Sequence, residues 1–315
     1  MNIVFLDSKT IGNDISLDIF KQFGNFISYD MTLTKKDTLK RTKDANIIIT
    51  NKVVIDKDVI DNATHLKLVC VAATGMNNID LAYAKKKNID VKNVADYSTK
   101  SVAQHTFTLL FYLLGQTKYY DEYVKEKKWC DSKIFTNLDK PFWEISGKTW
   151  GIIGLGNIGK EVAKIAKCFG AKILYYSTSG KNRCNDYKKV SLKELLKTSD
   201  IISIHAPLND NTNNLITKNE LLQLKDNSIL LNLGRGGIIN EDDLAEVIDK
   251  KDIYVGLDVT KNEPLQKNSP LLNIKKQNNI VITPHIAWSS IEARKRLLDK
   301  ILQNIQDFLQ KNKLK

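Results

Sequence analysis

The sequence predicts an α/β protein of two domains, each built around a parallel, doubly wound sheet. Short apolar runs typical of buried strands alternate along the chain with longer segments of helical periodicity. Strands that are separated by helices favour parallel pairing within a sheet. The chain has 315 residues, which indicates two domains at about 100–200 residues each.

The first part of the chain predicts three buried strands and a long helix. The strands are Asn2–Leu6, Ile47–Thr50 and Leu68–Ala72. The helix runs from Ser101 to about Tyr123, because apolar or small residues recur on one face of this segment. A looser stretch at 129–143 separates this helix from the second half of the chain.

A second series of strands and helices begins after residue 148. The predicted strands are Trp150–Ile153, Lys172–Tyr176, Ile201–His205, Ser228–Asn232, Tyr254–Leu257 and Ile280–Thr283. The predicted helices are Asn157–Phe169, one opened by a capping box of Ser191 and Glu194, Asn240–Asp249 and about Ser290–Gln310.

Composition bounds the possible partners and the cellular compartment. The net charge of +12 is compatible with binding nucleic acid or an anionic membrane, but the lysines are scattered, so we expect neither. No run approaches the roughly 18 apolar residues that span a bilayer. The four cysteines show no CxxC spacing and the four histidines do not cluster with them, so we predict no metal site and no disulfide framework. These features favour a reducing, cytoplasmic compartment.

The segment 154–159, GLGNIG, matches the dinucleotide-binding pattern GxGxxG between a predicted strand and a predicted helix. Gly154 allows the tight turn, Gly156 lets a pyrophosphate approach the backbone, and Gly159 lets the helix pack closely on the strand. The N–H groups at the start of the helix can hold the phosphate charge. The alternative is a tight turn without a ligand.

The residue after the second strand of this series decides between two cofactors. An acidic residue there would bind the ribose hydroxyls of NAD and repel the 2′-phosphate of NADP, but this chain has Ser177. Lys181 and Arg183 come shortly afterwards, and they can attract a phosphate or simply face solvent. The sequence leaves NAD and NADP open.

Three ionisable residues come after three later strands, and together they suit hydride-transfer chemistry. Arg235 can bind a carboxylate through two parallel hydrogen bonds. His285 titrates near neutral pH and can exchange a proton with a hydroxyl. Glu263 beside such a histidine can orient the ring and favour its charged form. Because ligands of open α/β sheets bind at the carboxyl ends of the strands, we expect the three to converge.

Four motifs in this order resemble the D-isomer-specific 2-hydroxyacid dehydrogenases. They are GLGNIG, LGRGGIIN, GLDVTKNEP and TPHIAW, and the N-terminal VAATGMNNID is similar to that family's substrate loop. The resemblance spans nearly the whole chain. It implies that Arg235, Glu263 and His285 are the catalytic residues, with a small 2-hydroxy or 2-keto acid as substrate.

The resemblance also implies the remaining contacts. The backbone N–H groups of Thr74 and Gly75 would bind the substrate carboxylate, with Arg235, and Trp288 would border the substrate or serve interdomain packing. The predicted cofactor contacts are Gly154, Gly156, Asn157, Ile158, Gly159, Ser177, His205, Ala206, Pro207, Leu233, Gly234, Arg235, Asp258, His285 and Ala287.

The family's domain arrangement is discontinuous. It implies a flavodoxin-like substrate domain of residues 1–99 and 288–315, an NAD(P)-binding Rossmann domain of residues 100–287, an active-site cleft between them, and a homodimer. The segments at 97–106 and 285–288 look like glycerate dehydrogenase and hydroxypyruvate reductase sequences, although Gln104 stands where many relatives carry Glu.

Three other functions compete with this interpretation. A corepressor-like sensor that binds NAD(H) without turnover shares this fold, but it has no need of the three ionisable residues. A basic nucleic-acid binder would need clustered charge. Formate oxidation on the same scaffold needs no His–Glu pair, because formate carries no hydroxyl, so Glu263 favours 2-hydroxy acids.

Overall fold

The computed structural model describes residues 1–181 and 183–312, and the chain forms two compact units. One unit combines Met1–Ser98 with the chain from Ser289 onward, and the other is Thr99–Trp288. We call them the smaller and the larger unit.

Both units are built from parallel strands. The strands are β1 (Asn2–Phe5), β2 (Asn25–Ser28), β3 (Ile47–Thr50), β4 (Leu68–Val71), β5 (Asp90–Lys92), β6 (Thr149–Ile153), β7 (Lys172–Tyr176), β8 (Lys188–Lys189), β9 (Ile201–Ile204), β10 (Ile229–Asn232), β11 (Tyr254–Leu257) and β12 (Ile280–Ile282).

Helices lie between most of these strands. The α-helices are α1 (Lys35–Thr42), α2 (Lys57–Asn62), α3 (Leu81–Lys86), α4 (Thr99–Leu114), α5 (Thr117–Lys125), α6 (Asn157–Cys168), α7 (Leu192–Thr198), α8 (Lys218–Leu221), α9 (Glu241–Lys250) and α10 (Ile291–Lys311). Short 3-10 helices at Ser8–Ile11, Asp18–Phe23, Pro270–Leu272 and Gln277–Asn279 complete the order.

The two sheets confirm the predicted fold class. The smaller unit has the strand order β2-β1-β3-β4-β5, which is the flavodoxin-like order. The larger unit has the order β12-β11-β10-β9-β6-β7-β8, which is the Rossmann order with one further strand beyond it. Every strand pair among the described residues is parallel, and the central strands β3, β4, β9 and β10 are buried throughout. Helices on both faces are the reason that these strands consist of uninterrupted apolar residues.

Three strands that the sequence pattern did not predict are β2, β5 and β8. All three lie at sheet edges. β2 and β8 are largely exposed, so neither carries the apolar run that identifies a buried strand. Edge position, rather than weak pairing, explains why periodicity did not find them.

The helix predicted from Ser101 to Tyr123 is wrong as a single element. α4 ends at Leu114, and α5 begins at Thr117. Between them, Gln116 has a φ of +48°, a left-handed conformation that interrupts a right-handed helix. α4 buries one face, whereas every residue of α5 is at least partly exposed.

Side-chain caps begin most of the helices. Thr34, Asp56, Asp80, Ser191, Asn240 and Ser290 each accept a hydrogen bond from a backbone N–H of the first helical turn. The capping box predicted at Ser191 forms only in part. The Ser191 hydroxyl accepts from the N–H of Glu194, whereas the Glu194 carboxylate bonds to Lys188 Nζ at 3.0 Å. α6 differs, since its N-cap residue is Gly156, which has no side chain to cap it.

Candidate active site

The loops at the carboxyl edge of the seven-stranded sheet approach one another at backbone distance where the strand order reverses, between β6 and β9. A Cβ built on Gly154, after β6, would lie 2.9 Å from the N atom of Ala206, after β9. One built on Gly234, after β10, would lie 2.7 Å from the carbonyl oxygen of Ala206. Only glycine fits at both positions, and this reversal is where open α/β sheets bind ligands.

The first turn of α6 fits a bound pyrophosphate. A Cβ built on Gly156 would meet no atom of the chain within 4 Å, so the space beside this residue is open. A Cβ on Gly159 would lie 2.4 Å from the carbonyl oxygen of Gly154, so close packing of helix on loop requires glycine here. Open space in front of a helix N-terminus without a side-chain cap is suited to an anionic group.

Two residues at this edge, Ser177 and His205, carry buried polar side-chain atoms. Among the described residues, neither the Ser177 hydroxyl nor either ring nitrogen of His205 has a hydrogen-bond partner, although all are buried. Burial lowers the pKa of His205 to about 3, so its ring is neutral at physiological pH. Buried polar atoms are normally bonded, so unpartnered ones at a predicted cofactor site fit the polar groups of a dinucleotide.

Every cofactor contact predicted from the sequence lies on this edge of the larger unit. The residues occupy the start of α6 or the loops after β6, β7, β9, β10, β11 and β12. Ala206, Leu233 and Ala287 are buried, and Ile158 packs partly against the core cluster that contains Leu233 and Ala287.

The structure brings His285 and Glu263 together. Nδ1 of His285 lies 2.7 Å from Oε2 of Glu263, and Oε1 of that carboxylate accepts a hydrogen bond from the N–H of Thr260 at 3.2 Å. The backbone therefore fixes the carboxylate, and the carboxylate orients the ring. Both side chains are partly exposed, at 26% for His285 and 34% for Glu263.

Arg235 lies exposed on the loop after β10. Its Nη1 donates to the carbonyl oxygen of Gly234 at 2.8 Å, and no carboxylate of residues 1–181 or 183–312 forms an ion pair with its guanidinium. A Cβ on the next residue, Gly236, would lie 1.9 Å from the carbonyl oxygen of Thr260. The loop of Arg235 and the loop of Glu263 are therefore in direct backbone contact.

Asp258 is 1% exposed, and both of its carboxylate oxygens serve the His285 turn. Oδ1 accepts from the Thr283 hydroxyl at 2.6 Å and from the N–H of Ile286 at 2.9 Å, and Oδ2 accepts from the N–H of Ala287 at 2.9 Å. The motif resemblance predicts that Asp258 contacts the cofactor. The structure adds a role in holding the turn that carries His285.

The predicted substrate residues of the smaller unit lie after β4. Thr74 is fixed by its own hydroxyl, which donates to the carbonyl oxygen of Val94 at 3.1 Å, and by Asn93, which donates to the carbonyl oxygen of Thr74 at 2.7 Å. Within the described part of the chain, the backbone N–H groups of Thr74 and Gly75 donate no hydrogen bond. Two such consecutive donors suit a carboxylate.

Trp288, in the larger unit, is partly buried and packs against the core cluster that includes Ala287.

In the part of the chain that the structure describes, no group of three or more His, Cys, Asp or Glu side chains could hold a metal ion. The same residues contain no helix of the length and apolar character that crossing a membrane requires.

Sequence reasoning missed the residues that hold the catalytic candidates in place. Thr260 acts through its backbone N–H. Because every residue except proline has this group, the residue type gives no sign of the role. Thr283, His105 and Ser101 bond to the His285 turn or within it, across separations of up to 186 residues. The one local signal is the four-residue spacing of Ser101 and His105, which places both on one helix face.

Fold and site together define an NAD-dependent oxidoreductase, and comparison with known proteins names its family. The profile of the D-isomer specific 2-hydroxyacid dehydrogenase NAD binding domain matches residues 107–287. The chain therefore belongs to the D-isomer-specific 2-hydroxyacid dehydrogenase family, as its motifs predicted.

Individual relatives agree with this family. A hydroxypyruvate reductase of Blautia hydrogenotrophica is 37% identical over 98% of this chain and 97% of its own length. A glycerate dehydrogenase of Methylorubrum extorquens is 34% identical over 98% of this chain and 96% of its own length. The structure of a D-lactate dehydrogenase of Aquifex aeolicus with NAD and lactic acid has a TM-score of 0.83 at 26% identity, covering 98% of this chain and 96% of that one. A sensor without turnover is not favoured.

Proposed function

We propose that this protein reduces hydroxypyruvate, glyoxylate or a close analogue to the corresponding 2-hydroxy acid, with Arg235, Glu263 and His285 as its catalytic residues. The observation that carries the proposal is the 2.7 Å pair of His285 and Glu263, on loops at the same sheet edge as the guanidinium of Arg235. Relatives named hydroxypyruvate reductase and glycerate dehydrogenase support the choice of small substrates.

Arg235 would bind the carboxylate of the 2-keto acid. A guanidinium offers two parallel donors to a carboxylate, and a nearby positive charge also favours the build-up of negative charge on the adjacent carbonyl oxygen. Because its ion-pairing capacity is not used within the described residues, Arg235 can give this interaction to a substrate. The N–H groups of Thr74 and Gly75 remain predicted contacts of the same carboxylate.

His285 would donate the proton that the carbonyl oxygen takes up during reduction, and would accept it during oxidation. Its Nδ1 is engaged by Glu263, which leaves the opposite nitrogen, Nε2, to exchange the proton. The Glu263 carboxylate would hold the ring in place while the proton is transferred. When bound, the dinucleotide supplies or accepts the hydride.

The cofactor would be held by the first turn of α6 and by Ser177 and His205. We infer that NADPH is accepted as well as NADH. The buried Ser177 brings no charge to the end of β7, so nothing at that position repels a 2′-phosphate. The adjoining loop carries Lys181 and Arg183, which can attract one.

The test is a matrix of three keto acids, hydroxypyruvate, glyoxylate and pyruvate, each with NADH and with NADPH, read as kcat/KM from the loss of cofactor absorbance. We expect the highest value for hydroxypyruvate or glyoxylate, and turnover with both cofactors. If none of the six combinations of keto acid and cofactor is turned over, the proposed function is overturned. Strict use of NADH would overturn only the inference from Ser177.

We also propose a homodimer that is formed through the segment after α5. Large apolar side chains are exposed there, with Phe135 at 88%, Leu138 at 77% and Phe142 at 64%. Three large exposed apolar side chains within eight residues are suited to an interface. Light scattering should give twice the chain mass, and Phe135→Asp with Phe142→Asp should lower it. Leu33→Asp, at an equally exposed residue of the smaller unit, is the control.

A cytoplasmic location is our final proposal about this protein. It is supported by the four cysteines, which are free thiols, as is usual in reducing compartments. Cell fractionation with an antibody against the chain tests it.

A further inference from the structure

One face of α4 holds both ends of the turn that carries His285. Ser101 and His105 are one helical turn apart, so their side chains lie on the same face. The Ser101 hydroxyl donates to the carbonyl oxygen of Ala287 at 2.6 Å, and Nε2 of His105 lies 3.0 Å from the Thr283 hydroxyl. The two contacts bracket His285 at positions 283 and 287.

The direction of the hydrogen bonds is set by the carboxylate at the centre of the turn. Asp258 Oδ1 can only accept, so the Thr283 hydroxyl gives its single proton to it at 2.6 Å. Toward His105 the hydroxyl is therefore an acceptor, and Nε2 of His105 carries the proton. Burial lowers the pKa of His105 against the opposing effect of Asp258, which agrees with a neutral ring that donates one bond. His105 of α4 therefore donates to the Thr283 hydroxyl, and that hydroxyl donates to Asp258.

His285 needs such support because of its backbone. Its φ is +54°, in the left-handed region that is uncommon for residues other than glycine, although asparagine, aspartate and histidine adopt it more often than the rest. Strained conformations persist where surrounding contacts over-determine them. Here the N–H groups of Ile286 and Ala287 bond to Asp258, and α4 bonds to both ends.

We propose that Ser101 and His105 are positioning residues, which hold the 283–287 turn in its left-handed form and thereby aim the His285 ring at Glu263. The proposal rests on the proposed acid–base role of His285. Neither residue is assigned contact with substrate or cofactor. Because these residues orient the ring, removing them should change kcat and the ring resonance of His285 rather than the affinity for cofactor.

Four variants separate this role from general stability. His105→Leu removes the donor at similar size, His105→Gln keeps an Nε2 donor, and Ser101→Ala removes the other end of the contact. Thr106→Val is the matched control, because Thr106 is a buried residue of α4 whose hydroxyl bonds within its own helix, to the carbonyl oxygen of Val102. Melting temperatures show that each variant is folded.

The first readout is steady-state reduction of the best keto acid. We expect His105→Leu and Ser101→Ala to lower kcat about 10- to 100-fold, the usual effect of misplacing a catalytic group by about 1 Å. The KM for cofactor should stay within about twofold. His105→Gln should recover most of kcat, and Thr106→Val should keep it.

The second readout does not require turnover. The chain has four histidines, so ring resonances of 13C-histidine protein are few and His285 is identified by its loss in His285→Ala. In His105→Leu and Ser101→Ala the His285 resonance should shift or broaden at a fixed pH, because the ring is no longer held in one orientation against Glu263. Thr106→Val should leave the resonance in place.

The outcomes separate the two proposals. If the wild-type protein reduces no keto acid, the proposed function fails, while the His285 resonance still tests the contact with α4. If the wild type turns over and both His105→Leu and Ser101→Ala keep its kcat and its His285 resonance, the positioning role is overturned. It is also overturned if Thr106→Val shows the same losses, or if His105→Gln is as impaired as His105→Leu.

Discussion

Nδ1 of His285 lies 2.7 Å from Oε2 of Glu263, on loops at the ends of two neighbouring strands of the larger unit's sheet. The pair is held from three sides. The backbone N–H of Thr260 donates to Glu263. The Asp258 carboxylate accepts hydrogen bonds from the His285 turn, and side chains of α4 bond to both ends of that turn. A partly exposed histidine with a fixed carboxylate neighbour is suited to proton exchange.

Replacing Glu263 by Gln should slow reduction. Without the carboxylate, the ring of His285 loses the partner that orients it for proton transfer. We expect kcat/KM for keto acid to fall about 10- to 100-fold. Steady-state kinetics is the measurement. Glu241→Gln is the control, because Glu241 is a nearby carboxylate that bonds to Lys261 N–H rather than to His285; an equal loss in both variants would contradict the proposed pairing.

Replacing Arg235 by Gln should remove the main contact of the substrate carboxylate. We expect kcat/KM for keto acid to fall about 100- to 1,000-fold, which corresponds to about 3–4 kcal/mol, while the Kd of the cofactor changes little. Steady-state kinetics and fluorescence titration measure the two quantities. Lys261→Gln removes an equal charge from the adjoining loop and should have little effect. A similar loss in both variants would indicate that positive charge attracts the substrate at long range, and would contradict a specific contact between Arg235 and the substrate carboxylate.

Replacing Gly156 by Ala should weaken cofactor binding without unfolding the protein. The added methyl group meets no atom of the chain within 4 Å, so it enters only the space assigned to the pyrophosphate. We expect the Kd for NADH to rise about tenfold or more, with a stability cost of at most about 1 kcal/mol at this N-cap. Calorimetric titration and thermal unfolding measure both.

Gly236→Ala provides the contrast to Gly156→Ala. Its added Cβ would meet the Thr260 carbonyl, so either the Arg235 loop or the Glu263 loop must move. This variant should lose both thermal stability and turnover. An unchanged Kd for NADH in Gly156→Ala would contradict the placement of the dinucleotide at α6.

His205 should make the fold sensitive to acid. Burial lowers its pKa from 6.5 to about 3 in the folded protein, so below pH 6.5 the unfolded chain takes up a proton that the folded chain does not. Stability that is present above pH 6.5 is therefore lost as the pH falls towards 3, by up to about 1.4 kcal/mol per pH unit.

The check is urea unfolding of wild type and His205→Gln at pH 7 and pH 4.5, without cofactor. The variant should lose less unfolding free energy than wild type between these two conditions, because its side chain does not titrate. Equal losses in the two proteins would show that His205 takes up its proton in the folded state.

Much of the fold was predictable because its central strands are buried on both faces. Ile47–Thr50 and Tyr254–Leu257 were predicted with the bounds that the structure has, and all of their residues are buried except the half-buried Tyr254. Uninterrupted apolar residues identify such strands, whereas β2 and β8 have exposed side chains and lie at edges. The break at Gln116 depends on one residue's φ, which helical periodicity does not report.

The candidate site was predictable to the extent that residue type carries the chemistry. Arg235, Glu263 and His285 were found from their types and from their positions after strands. The support from Ser101 and His105 was not, because these contacts join residues 186 and 178 positions apart and depend on how α4 packs. The role of the Thr260 N–H was likewise not predictable, because it depends on how the backbone folds at that residue.

The most direct test of the central claim is His285→Ala, assayed with the preferred keto acid and with NADH titrated separately. We predict a loss of kcat of at least about 1,000-fold, because the variant has no group to supply the proton, with a Kd for NADH within about threefold of wild type. A kcat close to that of wild type would contradict the acid–base role of His285 and the mechanism built on it.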